Sequence, residues 1–229
     1  MKNLKFLLFL ALLASFSLVK GQGGNLNAAL EKKTMEKLEV IKLSKPNLER
    51  GVNVMQAFSQ RKSDRVYVSK ALSLADLSDL LWAANGINRV KEGKRTAPSA
   101  MNVQDVDIYV ILKEGAYIYD AKNYTLSPVA AGDYRSLVAS KQEFAASAPV
   151  SLVLVSDISR FGAGGDSQSK QITGAYDVGI VSQNISIFCA GVGLGTVPRA
   201  TMDKAKLKSI LKLSDTQILM LNHPVGYLK

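Results

Sequence analysis

The chain has 229 residues, 47% of them apolar and 21% charged, with 29 basic against 19 acidic side chains. That is enough apolar material to bury a full core, and it excludes a chain disordered as a whole. The single cysteine, Cys189, excludes an intrachain disulfide, and one histidine with scattered acids offers no metal-ligand spacing.

The first residues, MKNLKFLLFLALLASFSLVKGQ, place two lysines before an apolar run from Phe6 to about Val19, followed by a small residue. This is the layout of a secretory signal peptide, and its run is shorter than the roughly 20 residues of a membrane-spanning helix. Cleavage near Gly21 divides the chain into a signal peptide (1–21), an N-terminal arm (22–50) and a main domain (51–229). Removing Lys2, Lys5 and Lys20 leaves 26 cations against 19 acids, a net charge of +7. The signal segment has no cysteine, so a lipid anchor is not expected. The expectation is an exported protein, periplasmic or secreted, without a stable membrane anchor.

The arm mixes charged and apolar residues from Asn25 to about Leu43, which predicts some helix, and breaks at SKPNLERG. NVMQAFSQRKSD reads as a short helix ending in a basic cluster. SLADLSDLLWAANGI is the clearest helix, with Ser73 as its cap, acids at 76 and 79 near its start, apolar residues at 74, 77, 80, 81 and 84, and Gly86 at its end. DVDIYVILKEG, AYIYDAKNYTLSPVA and PVSLVLVSDI then read as strands, the second forming a hairpin with an Asn turn. DYRSLVASKQEFAASA between them reads as helix. FGAGGDSQSK reads as a loop, GAYDVGIVSQNISIFCAGVGLG as a long helix for a core or an interface, TMDKAKLKSILKLSD as an amphipathic helix, and TQILMLNHPVGYLK as a last strand. The order describes an α+β fold with one sheet, mostly antiparallel and flanked by helices.

Few side chains offer chemistry. His223, beside a proline at a strand end and without a G-x-S-x-G partner motif, reads as structural, and Cys189 as a small core residue. GVGLG closes a helix where a dinucleotide fingerprint would open one. Lysines in KLEVIKLSKPNLER and TMDKAKLKSILKLSD lie among apolar residues with no interleaved aromatics, so they read as solvated helix faces and not as a nucleic-acid stripe. RKSDR, Arg61 to Arg65, puts three cations and a hydroxyl within five residues. It could form a fork of charge-assisted hydrogen bonds to a phosphate, or simply be solvated surface. RVKEGKRTAPSAMNVQDVDIYVI runs a basic loop through a turn of small residues into a strand, which suits either a connection or a backbone laid against a flat ligand.

Taken in order, the R-K-S-x-R cluster, LSDLLWAANGINR, RTAPSAMNVQDVDIYV, AYIYDAKNYTLSPV, DVGIVSQNISIFCAGVGLGTVPR and the terminal PVGYLK resemble the nitroreductase superfamily of FMN-dependent oxidoreductases. The likeness spans about Asn53 to Lys229 and is narrowest to the dehydrogenase branch related to thiazoline and oxazoline oxidases. The resemblance implies a nitroreductase-like α+β fold as a domain-sharing homodimer, with FMN as cofactor. It assigns Arg61, Lys62, Ser63 and Arg65 to the FMN phosphate and ribityl chain. Pro98, Ser99 and Asn102 lie against the isoalloxazine ring, usually from the second subunit. Pro198, Arg199, Ala200 and Thr201 supply backbone N–H groups to the ring, where relatives often carry Glu-Gly, and Lys229 supplies a basic group near the phosphate. No dedicated catalytic side chain and no metal are implied; a small-molecule donor and acceptor share one cleft in ping-pong fashion, with a nitroaromatic, quinone or related acceptor, or a small substrate to dehydrogenate. Two alternatives stay open: an exported flavin- or ligand-binding protein without turnover, and a basic structural protein without cofactor.

Overall fold

A computed structural model describes residues 38–229. The expected signal peptide and the arm through residue 37 lie outside the described residues. Seven strands form one sheet, in the order β1-β6-β5-β4-β7-β9-β8 with every neighbouring pair antiparallel. They are β1 (Ile41–Lys42), β4 (Val106–Ile111), β5 (Gly115–Asp120), β6 (Thr125–Ala131), β7 (Val150–Asp157), β8 (Leu194–Thr196) and β9 (Gln217–Tyr227). A separate two-stranded ribbon, β2 (Ile87–Arg89) and β3 (Lys94–Arg95), carries the start of the basic loop.

The helices are α1 (Val54–Gln60), α2 (Leu74–Asn85), α3 (Arg135–Ala139), α4 (Ser167–Val192) and α5 (Lys204–Ile210). Ser73 caps α2 by accepting the Asp76 N–H, and Gly86 closes it by donating to Trp82 O, as the sequence predicts. Gly193 ends α4 in the left-handed region (φ 78°), so the glycine run is a helix stop.

Strand alternation assigns the two faces of the sheet. Tyr109 and Ile111 of β4, with Val153 and Val155 of β7, pack with Val138 of α3 and with Leu207, Leu211 and Leu213 in and after α5. The opposite parity faces α4: Ser156 of β7 lies against Gly174, and His223, paired with Leu152, bonds Ser182. The sheet is therefore covered on both sides, and the strands buried on both faces read as nearly continuous apolar runs.

Three elements differ from the sequence reading. The helix expected over DYRSLVASKQEFAASA is only α3 plus a 3-10 turn at Glu143–Ser147, because Ser140 takes a positive φ of 52° that breaks the ladder. Helix α4 begins at Ser167, inside the stretch read as a loop, because Asp166 caps it by accepting the Ser169 N–H at 2.7 Å. The end of the arm is extended, with Ile41 and Lys42 on the β6 edge. Residues Glu39–Lys229 form one compact unit.

Within that unit Arg50 grips α2. Its guanidinium bonds Asp79 at 2.9 Å and also Asp76, while the Asn47 N–H donates to Asp79 and the Ser44 N–H to Ser78. Burial alone would raise the Asp76 carboxyl, but donors from Arg50, Ser73 and Tyr227 hold it down at about 2. Arg50 also lies 5.9 Å from the Phe188 ring of α4. The charge cluster thus ties residues 44–50 to two helices at once.

Candidate functional site

The basic cluster leaves the end of α1, where the Arg61 N–H closes the helix on Ala57 O. Three residues later the Asp64 N–H donates to Thr196 O of β8 at 2.9 Å, and Tyr67 OH donates to Asp64 O at 2.5 Å. These bonds draw Arg61–Arg65 alongside the chain that runs from β8 into Pro198–Thr201. Lys62 is exposed and meets Asp64 at 3.4 Å; Arg61, Ser63 and Arg65 are exposed, and neither arginine has a carboxylate within ion-pair reach among the described residues.

Arg65, Gln142, Phe144 and Val197–Thr201 line one open cleft of about 320 Å³. Its volume is at the low end for a small-molecule site, so one chain supplies a wall and not an enclosure. Pro198 has no N–H to give. The Arg199 N–H is bonded to Asn222 O at 2.9 Å, and Asn222 N–H returns to Arg199 O at 2.7 Å. These two facts correct the expected donor set, because the local bridge to β9 consumes what Arg199 would have offered. Ala200 and Thr201 remain, both exposed, with N–H groups that have no acceptor among the described residues. Lys229 follows Leu228, which bridges Tyr67, so the exposed C-terminal residue ends beside the Arg65–Tyr67 segment.

The Pro98–Asn102 loop is elsewhere. Asp177 of α4 holds it by accepting the Ala100 N–H, while Ser99 O and Oγ accept from the Asn102 and Gln104 N–H groups. Met101, Asn102 and Gln104 all take positive φ (53°, 56° and 52°), an uncommon backbone that presents Pro98, Met101 and Asn102 to the outside. Lys62 and Asp64 of the basic cluster and Cys189 border one hollow at the far end of α4. Asp177 and Cys189 are twelve residues apart along that helix, about 18 Å at its ordinary rise. One chain therefore brings the basic cluster and Pro198–Thr201 together and leaves the Pro98–Asn102 loop, expected to face the ring, apart.

Behind the loop is a buried acid pair. Asp105 is fully buried, accepts from Ser156 Oγ at 2.5 Å and lies beside the Asp177 carboxyl; burial first, then this neighbour, pushes it up to about 7. Its second oxygen, Oδ1, has no hydrogen-bond partner. His223 is structural, as its sequence context indicates: Ser182 Oγ is 2.7 Å from Nε2 and Thr196 Oγ1 is 3.1 Å from Nδ1, and burial lowers its pKa to about 3. Cys189 is buried, and burial raises its thiol far above the reactive range. No group of acids, histidines and cysteines suited to a metal occurs among the described residues, and no helix there is long and apolar enough to cross a membrane.

Sequence reasoning missed Gln142 and Phe144, which enter the cleft from the turn after α3 and have no local motif. It also passed over Asp177, although one acid in an apolar helix signals a buried partner.

A two-sided antiparallel sheet crossed by one long helix, with a basic turn beside unpaired backbone donors, defines an α+β protein with an open, donor-lined cleft. The comparisons identify which. The nitroreductase family model matches residues 58–227, and the chain belongs to the nitroreductase family, a class of flavin-dependent oxidoreductases. A Methanocaldococcus jannaschii protein assigned as a nitroreductase is 29% identical over 198 residues, spanning 82% of this chain and 97% of that protein. A crystal structure from Ralstonia eutropha, also assigned as a nitroreductase, superposes with a TM-score of 0.78 at 33% identity, covering 84% of this chain and 90% of the other. The NADPH:FMN oxidoreductase of Vibrio harveyi, complexed with NAD+, shares the fold at a TM-score of 0.58 and 19% identity, with 78% and 70% of the two chains covered.

Proposed function

We propose that this chain is an exported FMN-dependent oxidoreductase that works as a homodimer. The observation that carries the reading is the cleft in which Arg65 meets the unpaired N–H groups of Ala200 and Thr201. Those residues fit the group: cations without carboxylate partners suit a phosphate, and backbone donors suit the polar edge of a flat ring. Arg61, Ser63 and Arg65 would hold the phosphate end, with Lys229 near them, and Ala200 and Thr201 the ring. Bound FMN supplies the hydride and electron chemistry; this chain's residues bind it, orient it and limit access to it.

The dimer is supported by what one chain leaves uncovered. Ile172, Tyr176 and Ile180 repeat every four residues along α4 and are 46%, 68% and 37% exposed, while Met101 in the loop is 76% exposed. A second copy laid on that face would cover it and carry its own Pro98–Asn102 loop toward the cleft. Export rests on the N-terminal pattern of the sequence. Nicotinamide cofactors are scarce outside the cytoplasm, so the donor is a different reductant, or the chain dehydrogenates a small substrate and passes electrons to a quinone or nitroarene.

The test is an absorbance spectrum of the chain from Gln22 onward after FMN is added and the excess removed. Flavin bands at one per chain are expected, bleached by a reductant and restored by a quinone or nitroarene. A colourless protein would overturn the reading; bound flavin that no acceptor reoxidises would leave a flavin-binding protein without turnover.

A further inference from the structure

Arg199 is a buried cation with no counter-charge among the described residues. It is 6% exposed, and its guanidinium bonds four neutral acceptors: Gln142 Oε1 at 2.8 Å, Asn222 Oδ1 at 2.8 Å, Val138 O at 3.2 Å and Ala139 O at 2.8 Å. The Phe144 ring lies 5.7 Å from it. No carboxylate of the described residues pairs with it, and the group's strongest electrostatic influence is burial, which lowers its pKa; an arginine nevertheless stays protonated at any physiological pH. Burying a charge without an opposite one is expensive, so such a group calls for an explanation.

One explanation is purely mechanical: the fork staples the end of α3 to β9. Neutral side chains that donate hydrogen bonds could do that at lower cost. The location suggests more. The backbone of Arg199 is locked to Asn222 in both directions, so the charge cannot swing away, and the next two residues carry the unpaired N–H groups of the cleft. A fixed positive charge and two unpaired donors therefore occupy the same wall. Their combined field favours negative charge on whatever lies against that wall, and the buried guanidinium is itself little screened by water.

We infer that Arg199 is a positioning residue for charge, whose un-neutralised guanidinium stabilises the flavin of the cleft more when it is reduced than when it is oxidised and so raises its reduction potential. The inference rests on the FMN reading above. It assigns a role to the side chain at a position where the backbone N–H is already spent. It also makes the chain a better electron acceptor than donor, which suits an enzyme that withdraws electrons from a substrate.

The test compares wild type, Arg199→Lys and Arg199→Gln, each loaded with FMN, by spectroelectrochemical titration and by FMN affinity in both redox states. Both variants lose the fork, and only Arg199→Gln loses the charge. Arg199→Gln is expected to bind reduced FMN at least tenfold less favourably relative to oxidised FMN, a fall of about 30 mV for a two-electron couple, with Arg199→Lys close to wild type. Should Arg199→Gln not fold, Gln142→Glu keeps the fork and sets a carboxylate on Nε; it should lower the potential in the same direction. Equal potentials in folded, flavin-loaded wild type and Arg199→Gln, or in wild type and Gln142→Glu where Arg199→Gln does not fold, overturn the inference and leave the FMN reading intact. A wild-type chain that takes up no FMN overturns both.

Discussion

Asp177 of α4 accepts the Ala100 backbone N–H on both carboxyl oxygens, at 3.1 and 2.9 Å. The acid is buried and the loop it holds is exposed, so the longest helix of the fold fixes the position of Pro98, Ser99 and Asn102. Two positive-φ residues in that loop, with Gln104 just after it, cost energy that such tethers offset. Asp177→Ala should therefore lower stability by about 1.5–3 kcal/mol, the range for a hydrogen bond to a charged group, and Asp177→Asn by less. Since the proposed dimer sets this loop on the partner's flavin, FMN affinity should fall about tenfold, equivalent to roughly 1.4 kcal/mol. Urea melts and a fluorescence titration with FMN measure the two effects; unchanged melting in Asp177→Ala would remove the tether from the account.

The neighbouring Asp105 gives a pH dependence with a definite sign. Its carboxyl is held at about 7 in the fold against 3.8 for an unperturbed group. Between those values the folded chain binds the extra proton, so this group's contribution is fully present at low pH and is lost as pH rises through about 7. Asp105→Asn should remove that slope, because an amide oxygen still accepts from Ser156 Oγ and its N–H group can face Asp177. The expected result is similar stability to wild type at about pH 3.5, below the unfolded value, and greater stability at pH 8, by chemical denaturation at both. Parallel curves for the two proteins would count against the raised Asp105 carboxyl.

How much of this was legible in the sequence depends on whether the signal was local. Helix α2 was readable to the residue because Ser73, its apolar spacing and Gly86 are all local devices. The hairpin of β5 and β6 and the doubly buried β7 were readable for the same reason. The break at Ser140 was not, because the residue that forces it carries no turn signature; nor was the early start of α4, where glycines masked the Asp166 cap. At the site, the basic cluster was legible from its residues as a possible phosphate fork, its FMN role and the Pro198–Thr201 segment came from the family likeness, and the fold brings the two together through Asp64 and Thr196. That Arg199 spends its own N–H on Asn222 depends on the approach of β9, twenty-three residues later, which no local pattern contains.

Arg50 offers a separate test of the domain's edge. Removing it in Arg50→Met leaves Asp76 and Asp79 buried without their cation, a loss of about 3 kcal/mol by the usual cost of breaking a buried pair. Asp76 would also lose the donor that most depresses its pKa. In wild type that depressed carboxyl contributes stability present above about 3.8 and lost as pH falls toward about 2. The variant should therefore be less stable at pH 7 and show a shallower loss on acidification, measured by thermal melting from pH 7 to pH 3. Equal melting temperatures at pH 7 would mean the cluster is replaceable by solvent.

At Gly174 α4 packs tightly on the sheet. A Cβ built there would lie 2.2 Å from Ser156 Oγ, 3.0 Å from its Cβ and 3.3 Å from Asp105 Oδ2. In most helices glycine to alanine is stabilising, by about 0.8–1.0 kcal/mol of propensity. Here the sign reverses, because Ser156 sits on a central strand and can yield only by turning its hydroxyl away from Asp105, so Gly174→Ala costs about 1–3 kcal/mol in overpacking and the Asp105 bond besides. Adding Ser156→Ala removes the closest atom but not the Cβ at 3.0 Å, so the double variant should recover part of the loss and the two effects should not add. A double-mutant cycle in urea measures the coupling. Additive losses would show that Gly174 is needed for another reason than its contact with Ser156.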